Sequence, residues 1–121
     1  MQDFRRIAVW QKSHALALNV YAVTKTFPKE ELFGLTSQMR RAAVSVAANI
    51  VEGRFKGSDR EYARFLRVAL GSAAELEYYV LLAADLSLLQ EADRSRLTDA
   101  VTEVKRMLTG LVRRLKDCIQ P

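Results

Sequence analysis

The chain has 121 residues, half of them apolar, and carries 19 Lys and Arg against 14 Asp and Glu for a formal net charge of +5. That length holds one hydrophobic core and argues against a second domain, and no window approaches the roughly eighteen consecutive apolar residues that a membrane span needs. The single cysteine, Cys118, excludes an intrachain disulfide and a cysteine-built zinc site and is expected as a small core residue.

At the N-terminus, Gln11, Lys12, Ser13 and His14 interrupt the apolar stretch, so no secretory signal is read and a cytoplasmic location is expected. A first helix is predicted over about 7–26, stopping at Phe27-Pro28 because the residue before a proline is pushed out of the helical region. Its core stripe is Val9, Leu16, Val20, Val23 and Phe27, and a second apolar edge carries Trp10, Ala17, Leu18 and Tyr21. The second helix is expected over 36–52, with Thr36 as N-cap and Gly53 as the left-handed residue that ends it. Its small residues from Ala42 to Ala48 suit a helix buried on several sides. A third helix over 58–88 opens on Ser58-Asp59-Arg60-Glu61, a capping box in which the Ser58 hydroxyl and the Glu61 carboxylate each satisfy the other residue's amide. Tyr62, Phe65, Leu66, Ala69, Ala73, Leu76, Val80 and Ala83 are its core face. The fourth helix, about 92–118, spaces Leu97, Val101, Val104, Leu108, Leu111, Leu115 and Cys118 by fours and threes, a heptad seam. Period-two alternation is absent and the connections are short, so the expected fold is all-α: one antiparallel up-down-up-down four-helix bundle over 1–121.

Residues 40–67 hold seven cations against three carboxylates. On the third helix Arg60, Arg64 and Arg67 follow i, i+4, i+7 spacing and line one face, with Arg54 and Lys56 beside them. Arginine forks match phosphate geometry, so this ridge fits a nucleic-acid backbone, and Arg40 and Arg41 are weaker candidates that can instead pair with Glu52 or with a carboxylate across a helix interface. A solvated helix face is the plainer alternative. Phe55 can stack on a base or pack back on the bundle.

Gln38, Arg41, Ser45, Asn49 and Glu52 fall at spacings of three and four along the second helix and form a polar seam, read as a packing-register device rather than a catalytic one. Ser45 has no base at helical spacing, and His14, the only histidine, sits beside apolar neighbours. Glu75 and Glu77 are two apart and diverge. Glycine-rich phosphate loops and histidine metal patterns are missing, so no catalytic residue, metal or cofactor is assigned and an enzyme is not expected.

The order Val9-Trp10, Phe27-Pro28, Glu31, Phe33-Gly34-Leu35, Gln38, Arg40-Arg41-Ala42-Ala43, Ser45, Ala48-Asn49-Ile50, Glu52-Gly53, continuing through Ser58, Tyr62, Phe65, Leu66, Ala69, Gly71, Ser72, Glu75 and Leu76, resembles the bacterial 23S ribosomal RNA intervening-sequence, or S23-like, proteins. The resemblance implies a four-helix bundle assembling as a homo-oligomer, typically a homopentamer. It also implies a likeness to the accessory proteins of diversity-generating retroelements, which bind nucleic acid through a basic surface. It carries no catalytic residues. Trp10, Tyr21, Val68, Leu70, Tyr78 and Leu82 are the candidate oligomer contacts, and the expected partners are the protein itself, RNA or DNA, and alternatively a protein such as a reverse transcriptase.

Overall fold

The computed structural model describes residues 3–119. Four helices follow one another: α1 (Ala8–Thr24), α2 (Ser37–Phe55), α3 (Asp59–Asp85) and α4 (Glu91–Ile119). Each packs on its neighbours in the ring α1–α2–α3–α4–α1, so the bundle closes. With connections this short, successive helices run antiparallel, and the end of α2, the start of α3, the start of α1 and the end of α4 share one end of the bundle.

The core follows the predicted stripes except at Phe65, which is only half-buried at the α2–α3 connection. Leu16 and Val20 of α1, Met39, Val46 and Ile50 of α2, Leu66, Leu76 and Val80 of α3, and Leu97, Val101, Val104 and Leu108 of α4 have almost no exposed surface. The small residues Ala43, Ala69, Ala73 and Ala83 between them are equally buried, which lets α2 and α3 approach closely. Two ion pairs tie α4 to its neighbours: Lys105–Glu77 at 2.7 Å and Lys12–Glu103 at 3.1 Å.

Several local expectations are corrected. Helix α1 ends at Thr24, and the chain tightens into three-residue bonds before Pro28, the Thr26 amide donating to the Val23 carbonyl at 3.3 Å and the Phe27 amide to the Thr24 carbonyl at 3.1 Å. Thr36 does not cap α2: a π-type turn, Leu32–Thr36, with its break at Gly34, already leads into the helix, and the Glu31 carboxylate accepts from the Leu35 amide instead. Thr36 is therefore buried, and its hydroxyl has no hydrogen-bond partner among the described residues. Helix α2 passes through Gly53 and ends at Phe55, and the left-handed residue is Gly57, with φ of +86°. Only half of the capping box forms. The Ser58 hydroxyl accepts from the Glu61 amide at 3.1 Å, but the Glu61 carboxylate turns outward to Arg64.

The α4 seam is buried only as far as Leu108. Leu111 and Leu115 are half-buried and Cys118 is exposed, because α4 outruns the part of α1 that covers it. Helix α2 is not buried on several sides within the protomer either, since Val44 and Ala48 face solvent opposite Ala43 and Val46.

Candidate nucleic-acid interface

The α2–α3 connection is tight because Gly53 lets α3 come down onto α2: a Cβ there would lie 2.7 Å from Phe65 Cβ and 3.3 Å from the Tyr62 carbonyl. That approach puts the last turn of α2, the Lys56-Gly57 turn and the first two turns of α3 on one continuous surface. Arg54 lies over the Tyr62 ring at 5.8 Å, Lys56 over the Phe65 ring at 5.4 Å, and Arg64 over the same Phe65 ring at 4.5 Å. Two aromatic side chains of α3 thus hold three cations against the ridge through their ring faces. Burial pushes the Tyr62 phenol up, and the positive charge of Arg54 pulls it partly back.

Arg60 and Arg67 are exposed and make no ion pair among the described residues. Arg64 is engaged: its Nε donates to Glu61 at 2.8 Å and its Nη2 at 3.2 Å. This fork holds the Glu61 carboxyl below its ordinary range and raises Arg64 in turn. Phe55 does not pack back on the bundle and stands 64% exposed beside the turn.

Arg40 and Arg41 are apart from this surface, fourteen and thirteen positions before Arg54 on α2, or about 20 Å along the helix. Arg40 donates from Nε to the Thr24 hydroxyl at 2.9 Å and lies over the Tyr21 ring at 4.7 Å, fastening α1 to α2. Arg41 is exposed and lines a shallow depression with Gln38, Ser45, Ser72 and Glu75. The polar seam therefore runs along the open edge between α2 and α3. Its links are Ser45 Oγ to Ser72 Oγ at 2.8 Å and the Asn49 amide to the Ser45 carbonyl and hydroxyl at 2.8 and 3.0 Å. Gln38, Arg41 and Glu52 reach solvent, and Arg41 and Glu52 do not pair.

The expected assembly residues divide in two. Val68 and Tyr78 are 46% and 56% exposed on α3; Tyr78 neighbours Leu81, 54% exposed, on the flank beside α4, whereas Val68, ten residues earlier, faces a different side of the helix. Leu70 and Leu82 are half-buried at the core margin. Trp10 sits between Phe4 and His14, with centroids 5.0 and 4.9 Å away, and Tyr21 lies beneath Arg40. His14 is thus an exposed stacking partner of Trp10.

A second cationic cluster lies outside the predicted ridge, with its signal in the sequence: five cations and no carboxylate from Lys105 to Lys116. Arg106 and Arg114 of α4 face Arg6 across a groove beside the start of α1. These cations share α4 with the Leu97–Leu108 seam but lie off it, on sides of the helix that the seam's spacing does not mark.

Together the fold and these surfaces define a small antiparallel four-helix bundle with a cation-rich end and, among the described residues, no cluster of acidic, histidine or cysteine side chains suited to a metal. Among those residues no helix is long and apolar enough to cross a membrane. The chain belongs to the 23S rRNA-intervening sequence protein family, whose model matches residues 5–110. Among solved structures, a protein of unknown function from the S23 ribosomal protein family of Bacteroides thetaiotaomicron VPI-5482 has the same fold. Its TM-score is 0.78, at 23% identity, over 87% of this chain and 98% of that one. Curated proteins gave no significant match. Nothing in the family or in this structural neighbour points to an enzymatic activity.

Proposed function

We propose that the protein is a non-enzymatic helical-bundle adaptor, homo-oligomeric through its α3 face, that binds RNA or DNA phosphates along the ridge formed by Arg54, Lys56, Arg60, Arg64 and Arg67. The observation that carries this reading is that Arg60 and Arg67 are exposed with no carboxylate partner among the described residues, while Tyr62 and Phe65 hold Arg54, Lys56 and Arg64 alongside them. Cations fixed on one surface neutralise successive phosphates without the entropy cost of gathering free side chains. The exposed Phe55 ring beside them offers a face for an unpaired base. In an oligomer the ridge repeats, and weak sites add through effective concentration.

A protein-binding module is the second reading, favoured by the exposed apolar pair Tyr78 and Leu81 on α3. The two are separated by fluorescence anisotropy of short single-stranded RNA, RNA duplex and DNA duplex at low and moderate salt, using the wild type and a folded Arg60→Ala/Arg64→Ala/Arg67→Ala variant. Binding that weakens with salt and is lost in the variant is expected. No binding at low salt would remove the nucleic-acid reading and leave the Tyr78–Leu81 pair to a protein partner.

A further inference from the structure

The groove ringed by the second cationic cluster lies between the start of α1 and the last third of α4. Its volume is about 450 Å³ and it is open to solvent along one side. Arg6, Arg106 and Arg114 stand around it, all three exposed, and none makes an ion pair among the described residues. The floor is apolar, built from Ile7, Val9, Met107 and Leu111. Isolated cations on a helix surface need no explanation, but three arginines with no carboxylate among the lining residues, set around an apolar floor, form a site for an anion attached to an apolar body.

The walls of this groove are held in place. Arg6 ends a short 3-10 turn, Phe4–Arg6, whose first residues are tied by the Asp3 carboxylate accepting from the Arg5 amide at 2.9 Å. Gln11 closes the turn from the other side, donating from Nε2 to the Arg5 carbonyl at 2.8 Å. The Phe4 ring packs edge-on against Trp10. On α4 the residue between the two arginines is Gly110, which leaves the floor uncovered. A Cβ there would meet nothing closer than Arg114 Nη1 at 3.6 Å, so the helix would accept a larger residue and the groove would fill.

We infer that this groove is a second phosphate-binding seat for a single-stranded nucleic acid, with Arg6, Arg106 and Arg114 on the phosphates and an unpaired base over the Ile7–Met107–Leu111 floor. The inference rests on the nucleic-acid reading of the α2–α3 ridge and extends it. The start of α1 and the end of α4 lie at the same end of the bundle as that ridge, so one end carries two separate cation clusters. A small anion would occupy one of them, whereas an extended chain of regularly spaced negative charges engages both. Arginine forks favour phosphates, and the apolar floor favours a strand whose bases are free over a duplex whose bases are stacked inside. A peptide of acidic residues alone, such as polyglutamate, shares the charge but has no flat apolar group to lay on the floor.

The test uses fluorescein-labelled 20-nucleotide oligouridylate and a matched RNA duplex in anisotropy titrations across a salt series. Arg106→Ala/Arg114→Ala, Gly110→Leu and Arg60→Ala/Arg67→Ala are compared with the wild type, each verified as folded by its circular dichroism melt. The α4 double variant is expected to lose roughly tenfold in single-strand affinity and to flatten the log–log salt slope by about 1.4, two phosphate contacts fewer. Gly110→Leu, with its charge unchanged, is expected to weaken the single strand and leave the duplex as it was. If both α4 variants bind like the wild type while the α3 variant fails, the groove is overturned and the ridge stands. Loss in the α4 variants with an unaffected α3 variant would leave the groove and remove the ridge, and a wild type that binds neither probe removes both. Polyglutamate that displaces the strand from wild type as well as unlabelled oligouridylate does would overturn the assignment to nucleic acid.

Discussion

At the scale of single residues, the ridge is shaped as much by one carboxylate as by its arginines. Glu61 stood in the sequence as a capping partner of Ser58, and it serves instead as the counter-ion of Arg64. The reason is competition: a guanidinium three residues on, in the i, i+3 relation, offers two charged donors, while the Ser58 amide at the helix start offers one neutral donor that water can satisfy. Arg64 donation holds the Glu61 carboxyl below its ordinary range. The sign follows. A depressed carboxyl contributes stability that is complete above its unfolded-state value and is lost as the pH falls through the lower folded-state value. Below that point Glu61 is neutral and Arg64 is released to solvent. Glu61→Gln should therefore strengthen single-strand binding at pH 7 by up to about fivefold and steepen the salt slope by about 0.7. The wild type should approach the variant's affinity only as the pH is lowered past the glutamate range. Anisotropy titrations of both proteins at pH 7 and in acid check this, and equal affinities at pH 7 would show that Arg64 is already available to the phosphate.

At the scale of elements, the decisive contact is that of α2 on α3. The stretch from Ala42 to Gly53 supplies small residues, and Gly53 lies against Phe65 and Tyr62 where a methyl group would clash at 2.7 Å. Gly71, in mid-α3, has open space where its Cβ would be. The two glycines should respond oppositely. Gly53→Ala is expected to lower stability by about 1–3 kcal/mol through overpacking. Gly71→Ala is expected to raise it by up to about 1 kcal/mol by removing chain entropy from a solvent-facing helix position. Paired thermal and urea unfolding decide the matter, and a neutral Gly53→Ala would mean that α3 shifts outward at no cost. Gly53 also shows how an element boundary misleads. Read along the chain it is a helix terminator, and only the proximity of α3 reveals that it is there to admit a neighbour. The left-handed turn falls four residues later at Gly57.

At the scale of the whole molecule, the bundle leaves Val68, Tyr78 and Leu81 exposed along α3 and Val44 exposed on α2. Of these, Tyr78 and Leu81, one turn apart on the flank of α3 beside α4, are the pair we propose as the contact with a second copy. Light scattering after size exclusion is expected to give a multiple of 13.7 kDa for the wild type. Tyr78→Glu/Leu81→Glu, both at solvent-facing positions, is expected to give the monomer with its helix content intact. A wild type that elutes as a monomer would remove the assembly role of these residues and, with it, the multiplication of weak phosphate contacts.

Helix number, order and core faces were legible in the sequence because each depends on local periodicity: a residue buried at position i calls for partners at i+3, i+4 and i+7 whatever the neighbouring helix is. Leu97, Val101, Val104 and Leu108 are such a case, and so are the arginines of α3, whose common face is set by the helix alone. The tertiary structure decided what happens where elements meet. Cys118 continues the α4 spacing yet lies in solvent, because periodicity does not state how far the covering helix extends. Arg40 carries the same charge as Arg60 but is spent on Thr24 and Tyr21 of α1, and Arg6 joins Arg106 and Arg114 only because the bundle closes α1 against α4. Spacing along one helix places side chains on a face, and only packing between helices settles which of those faces remain open to a partner.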